Sequence, residues 1–257
     1  MEKRQDAQIY ELVYKPVDYD IWDNQLYTPL QVGTNRTNHD IVPLKDNTGD
    51  NISSNNDFYS EATGTYWIWK NAPHTKYVGQ CQYRRRLQFI EHENFDMIFS
   101  VNPIIANTPI QLGTTLKKHI EALHPAIDTM VLHEIITQKY PQYTYSYIQN
   151  FVNGRILFYS SAYVMRWNEF DEYCRFLFGV LKLYSDAFGF DDHTTLRRYV
   201  TQKVSSSQNR LEKTDIAYHS LIGGFLQERL FTIWLLSKYS VGQILKKNFT
   251  FFGGIRF

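Results

Sequence analysis

The chain has 257 residues, 43% hydrophobic and 21% charged, with a formal net charge of +1. These values suit a globular protein with a sizeable core and are compatible with one domain over residues 1–257. They exclude a general nucleic-acid binder, which needs a broad basic footprint.

The two cysteines, Cys81 and Cys174, lie far apart and read as buried free thiols of a reducing compartment, and no Cys/His spacing of a metal site is present. The N-terminal stretch MEKRQDAQIYELVYK lacks an apolar signal core, and the uncharged run from Met97 to Leu116 is interrupted by Pro103 and Pro109. A cytoplasmic protein is therefore expected. The tail ILKKNFTFFGGIRF mixes Lys246, Lys247 and Arg256 with phenylalanines. That pattern suits either a peripheral contact with the inner face of a membrane or a packed C-terminal strand.

In chain order, Ile9 to Tyr14 (IYELVY) reads as a first strand ended by Lys15-Pro16. Strand ends open onto the ligand crevice in α/β sheets, so Lys15 is a candidate for holding a nucleoside or diphosphate, against the alternative of a solvated lysine. Leu30 to Val32 is a short strand. Asp46 to Asp57 is a polar loop rich in Asn, Asp, Gly and Ser, long enough to be functional, with Asp50 and Asn51 as candidate donor contacts. A helix follows, capped by Asn55, Asn56 or Asp57, with Phe58, Ala62, Tyr66 and Trp69 as its buried stripe. Glu61 either complements the dipole of the first turn or faces the crevice to hold a sugar hydroxyl or an arginine.

Pro73 ends this helix, and Tyr77 to Cys81 is a buried strand continued by Gln82-Tyr83-Arg84-Arg85-Arg86. Phe95 to Phe99 reads as another strand, Leu116–Leu123 and Met130–Lys139 as helices, and Ile156 to Met165 as a strand. Phe170 to Leu183 is an amphipathic helix, and residues 185–217 read as a mobile loop. Gly223-Gly224 precedes a final helix. Alternating strands and helices indicate an α/β layered fold.

The arginine cluster is the sharpest chemical signal. On an extended segment Arg84 and Arg86 share one face, and Tyr83 and Arg85 the other. Arginine forks match phosphate oxygens and stay charged, so a guanidinium entering the crevice would stabilise a diphosphate leaving group; the alternative is salt bridging to acids such as Glu91 and Glu93. Hard cations want carboxylate oxygens, whereas this strand end offers Gln82, Tyr83 and arginines. Asp191-Asp192-His193 sits in a loop and reads as a solvated turn, so metal-independent chemistry with no cofactor is expected. The abundance of aromatics, 19 Tyr and 17 Phe, suits sugar and nucleoside pockets as well as a core. For a general base the candidate is Glu228 in GGFLQERL, either beside the pocket or paired with Arg229, with Asp50 and Asp192 as runners-up.

The stretch DNTGDNIS…YSEATGTYWIWKN…YVGQCQYRRR, with NEFDEYCRFLF, GFLQERLFTIWL, YKPVDY and PLQVGT, resembles a bacterial family from capsule, O-antigen and exopolysaccharide gene clusters. That family was long called a domain of unknown function, and its members are assigned as galactofuranosyltransferases. The resemblance spans nearly the whole chain. It implies a GT-A-like fold with a central mixed, mostly parallel sheet flanked by helices. It also implies UDP-galactofuranose as donor, inversion at the anomeric carbon, and a glycan acceptor linked to undecaprenyl diphosphate. Tyr83-Arg84-Arg85 then occupies the strand end where related folds carry metal-binding aspartates. The family's His before Tyr-Arg-Arg is Gln82 here, its Thr-His after the first strand is Val13-Tyr14, and its Asn near the Asp-Glu-Tyr-Cys helix is Ser161. These departures bear on the exact sugar, so transfer of another UDP-hexose, and a non-catalytic glycan- or nucleotide-binding module, stand as alternatives.

Overall fold

Strand β1 (Ala7–Val13) is buried at every position, as a strand covered on both faces must be. It pairs in parallel with β2 (Tyr27–Gln31) on one side and with β3 (Tyr77–Gln82) on the other. The computed structural model describes residues 3–21, 23–88, 93–206 and 215–252. Beyond β3 the main sheet continues through β8 (Tyr163–Arg166) and β5 (Ile105–Asn107) to β9 (Leu245–Lys247). The β3–β8 and β8–β5 pairings are antiparallel, while β5–β9 is again parallel. Strands β4 (Arg85–Leu87) and β10 (Phe249–Phe251) complete this eight-stranded sheet, and β6 (Ile110–Gln111) pairs with β7 (Ile156–Leu157) apart from it.

Alternation along the strands gives each face its own core. Tyr10 and Leu12 of β1 and Val78 of β3 join the larger cluster. It is built with α2 (Ala62–Asn71), α7 (Trp167–Phe188) and α10 (Ile222–Lys238), which contribute Ile68, Leu177 and Trp234. Ala7 and Ile9, with Tyr77 and Cys81, face the smaller cluster under α3 (Phe95–Val101). Both cysteines are free and buried. Helices α4 (Leu116–Leu123) and α5 (Thr129–Lys139) follow as expected.

Several expectations need correction. Phe95–Phe99 is helical: Asn94 Oδ1 accepts the Met97 N–H (3.1 Å), and Phe95 and Phe99, four apart, are the buried positions. The helix after the polar loop is broken into α1 (Asn56–Tyr59) and α2 at Ser60, whose φ of +53° no continuing helix allows. Of the expected stripe Phe58 and Ala62 are buried, but Tyr66 and Trp69 are only half-buried and Trp67 and Ile68 are buried in their place; Trp69 stacks on Phe178. Ile156–Met165 is interrupted between β7 and β8 by Ser160 and Ser161, both at positive φ.

Residues 185–217 are largely helical. After a three-residue helical turn, α6 (Thr144–Ser146), α7 runs on to Phe188. Helix α8 (His193–Ser206) follows, capped by Asp192 Oδ2 on the Thr195 N–H (2.7 Å), and α9 (Ile216–Ser220) begins soon after. Only Leu196 and Val200 of α8 are buried, so its sequence shows little periodicity. The rest of the expected loop, residues 207–214, lies outside the described residues. No helix among the described residues is long and apolar enough to cross a membrane. The tail forms strands at 245–247 and 249–251, and Arg256 lies outside the described residues.

Candidate active site

The chain reverses at Tyr83-Arg84 instead of extending β3: Gln82 pairs with Arg85, and β4 runs antiparallel to β10. This overturns the alternating placement of the arginines. Arg86 is completely buried, paired with the equally buried Glu11 of β1 (Nε to Oε1, 2.6 Å), and Nη2 donates to the Asp20 carbonyl (2.7 Å). Among the described residues its ion-pair partner is Glu11, while Glu93 pairs with Lys247; Glu91 lies outside the described residues. Arg86 thus anchors the hairpin, while Arg84 and Arg85 remain at its tip.

That tip forms one wall of a cleft with two lobes. The first, of about 300 Å³, is lined by Tyr14 at the end of β1 and by Tyr83, Arg84 and Asn56. The second, of about 400 Å³, is lined by His119, Tyr159, Tyr218, Phe225, Glu228 and Arg229. Ser60, Glu61, Gln82, Arg85 and Leu221 belong to both lobes and form the junction.

The left-handed serines build this junction. The carbonyl of Ser60, turned by the break between α1 and α2, accepts from Asn56 Nδ2 (2.7 Å) and Thr63 Oγ1 (3.1 Å). These bonds fix Glu61 at the start of α2. Gly223 and Gly224 let α10 press onto the break: a Cβ at Gly224 would lie 2.7 Å from the Ser60 Cβ, and one at Gly223 2.8 Å from the Phe58 carbonyl oxygen. Across the cleft, the Ser160 N–H donates to Glu228 Oε1 (2.7 Å) and its Oγ accepts from Arg85 Nη1 (2.8 Å). A buried chain of hydrogen bonds holds this turn. Gln227 donates to Thr65 (3.0 Å), Thr65 to Gln80 (2.8 Å), and Gln80 to the Ser161 carbonyl (3.0 Å). Buried hydrogen bonds of this kind rigidify what they hold.

The electrostatics differ between the lobes. Arg84 lies over the Tyr83 ring (5.2 Å), and Arg85 lies over Tyr159 (5.9 Å). The Arg85 Nε is shielded from solvent and has no hydrogen-bond partner among the described residues. In the second lobe Glu228 Oε2 is paired with Arg229 Nη1 (2.7 Å). Arg229 Nη2 lies 3.2 Å from His119 Nδ1, which must accept and so leaves the ring proton on Nε2. Burial and the Arg229 charge hold the His119 pKa below its usual value, favouring that neutral ring. At the junction, Gln82 Nε2 donates to both oxygens of Glu61 (2.6 and 2.5 Å). Burial, reinforced by the nearby Glu228, pushes the Glu61 carboxyl up to about 7.

Of the residues singled out by sequence, Glu61, Tyr83, Arg84, Arg85 and Glu228 line the cleft. Lys15 lies beside Tyr14 (5.9 Å to the ring), which lines the cleft in its place. Asp50 and Asn51 are not brought to the cleft. Asp50 accepts from the Tyr66 hydroxyl (3.1 Å), and Asn51 donates to the Gly49 carbonyl (2.9 Å), so both fold their own loop. Ser161 is buried behind the turn, and Ser160 presents the polar groups. Asp191, Asp192 and His193 are engaged separately with Asn55, Thr195 and Asp57. Tyr14 and Gln82, named from sequence as departures that bear on the sugar, also line the cleft, whereas sequence reasoning missed Asn56, Ser60, His119, Tyr159 and Tyr218; only the Gly223-Gly224 pair signalled the close approach that assembles them.

Residues 8–239 match the model of a domain of unknown function, DUF4422. The chain belongs to that family. No curated protein matches it. Among solved structures it is similar to the apo structure of the WbbM bifunctional glycosyltransferase, with 23% identity and a TM-score of 0.69 over 96% of this chain and 45% of that one. The likeness is one of fold, GT-A-like with a central mixed sheet flanked by helices, and this chain spans under half the length of that chain.

Proposed function

We propose that the protein is an inverting glycosyltransferase that moves galactofuranose from UDP-galactofuranose to a glycan linked to undecaprenyl diphosphate, in bacterial surface-polysaccharide synthesis. The observation that carries this reading is the two-lobed cleft: arginines line one lobe, and a carboxylate stands at its junction with the other. The first lobe, with Arg84, Arg85 and the Tyr14 and Tyr83 rings, suits a nucleoside diphosphate. Charge developing on the departing diphosphate would be met by the guanidiniums. The second lobe suits a hydroxylated acceptor, because Tyr159, Tyr218 and Phe225 offer apolar faces while the Tyr hydroxyls and His119 offer polar tips. The likeness of fold to a bifunctional glycosyltransferase, and the residues shared with the capsule and exopolysaccharide family, support the same reading.

The test is incubation with UDP-galactofuranose, UDP-galactose and UDP-glucose. Slow release of UDP is expected, fastest from the furanose donor, and undiminished in excess EDTA. A strict Mn²⁺ requirement would remove the metal-free part. Preference for a pyranose donor would assign another hexose, and UDP-sugar binding without any release would mark a non-catalytic module. Peripheral membrane contact through the basic and aromatic tail belongs to the same proposal; sedimentation with anionic vesicles tests it.

A further inference from the structure

Resting on the transfer reading, we infer that Glu61 takes the proton from the acceptor hydroxyl, the role that sequence reasoning gave to Glu228, and that Gln82 positions it. An acceptor in the second lobe and a donor in the first can meet only at the junction, and Glu61 is the carboxylate that both lobes share. Glu228 lines the second lobe alone, and its oxygens accept from the Ser160 N–H and from Arg229. Both Glu228 oxygens are thus already engaged, one by a backbone N–H and one by a cation. Glu61 forms no ion pair among the described residues, and its hydrogen-bond partner, the Gln82 amide, is neutral.

The step balances. The acceptor O–H proton passes to Glu61, the oxygen's electron pair forms the bond to the anomeric carbon, and the bond from that carbon to the diphosphate oxygen breaks. UDP leaves with its added negative charge facing Arg84 and Arg85, and Glu61 returns its proton to solvent. A base works best when its pKa lies near the operating pH, and the Glu61 carboxyl, pushed up to about 7, meets that condition. The charged and titratable groups that line the two lobes with it are Glu228 and the paired Arg229 on α10, Arg84 and Arg85 of the hairpin, His119 on α4 and His124 just after it, and the tyrosines Tyr14, Tyr83, Tyr159 and Tyr218; Tyr173 of α7 also interacts with its charge. Glu228 is the one whose charge raises it, and Arg85 and the Gln82 hydrogen bond oppose that.

The experiment measures turnover against pH, with UDP affinity by calorimetry, for the wild type, Glu61→Gln, Glu61→Asp, Glu228→Gln and Gln82→Leu. Because the base must be ionised, wild-type turnover should rise with pH through about 7. Glu61→Gln should lower turnover about 100-fold or more and abolish that limb, with UDP affinity within about threefold. Glu61→Asp, which keeps a carboxylate, should recover part of the rate and the limb. Glu228→Gln removes a like charge and should move the limb to lower pH; Gln82→Leu removes a hydrogen bond to the ionised form and should move it to higher pH. An active wild type with Glu61→Gln turning over within a few-fold of it, or with the limb unmoved, overturns the assignment alone. A wild type that releases UDP from no UDP-sugar overturns the transfer reading, and the assignment with it.

Discussion

Two polar stretches flank the α1–α2 segment, and they differ in where their hydrogen-bonding groups point. In the loop before it, Asp46 is buried and accepts from the Gly33 N–H (2.7 Å), the Thr34 N–H (3.1 Å) and the Ser53 hydroxyl (2.6 Å). Asn71 exchanges two bonds with the Asp50 backbone (3.0 and 2.8 Å), and Trp67 Nε1 donates to Thr48 (2.9 Å). The polar groups of this loop close on themselves. In the β3–β4 hairpin after it, Arg86 is sealed against Glu11, but Arg84, Arg85 and Gln82 face the cleft. A polar composition therefore does not mark a site. Polar groups that are held in place and still have capacity to bond do, and the shielded Arg85 Nε is the clearest case.

Loss of the hairpin's anchor should have the largest effect. Arg86→Met removes the cation paired with the buried Glu11 and should destabilise the fold by about 3–5 kcal/mol in urea melts. Adding Glu11→Leu should recover most of that loss, since replacing both members of a buried pair by apolar groups is often near neutral. A double variant as unstable as the single one would show that the pair is not what anchors the hairpin.

The two stretches also differ in how far sequence could expose them. The strands β1 and β3 and the helices α4, α5, α7 and α10 were legible because their apolar spacing matches their period. The arginine cluster was legible as an anion site, but its geometry was not. The reversal at Tyr83-Arg84 carries no Gly, Pro or Asn, and the partner that buries Arg86 lies 75 positions away in sequence. Ser60, Ser160 and Ser161 adopt backbone angles that favour glycine, so nothing in their chemistry announces the turns that assemble the junction. Helix α8 was invisible because its two buried positions leave a mostly polar sequence. What reads poorly is what tertiary contacts impose.

Substitutions at the hairpin tip should have the next largest effect. Arg85→Ala should weaken UDP binding about 30- to 100-fold, the loss of a charge-assisted bond worth about 2–3 kcal/mol. Melting should change little, because Arg85 lines a cavity and its one short contact is with Ser160. Arg85→Lys keeps the charge without the fork and should recover only part of the affinity. Calorimetry with UDP reads both variants; undiminished affinity in Arg85→Ala would remove this residue from the site.

The loop supplies the smallest effect. Asp50→Ala removes an acceptor for the exposed Tyr66 hydroxyl, and Asn51→Ala removes a bond to a carbonyl in its own loop. Neither side chain reaches the cleft, so UDP affinity and turnover should stay within about twofold, with stability changed by about 0.5 kcal/mol or less, as for ordinary surface substitutions. Asn71→Ala, at the end of α2, is the informative contrast for the loop. Its amide satisfies the Asp50 backbone on both sides, so its loss should raise amide exchange across residues 48–51 while UDP affinity holds. A fall in affinity with the loop loosened would mean that the loop closes over the donor, and the division between a self-contained loop and a cleft-facing hairpin would then fail.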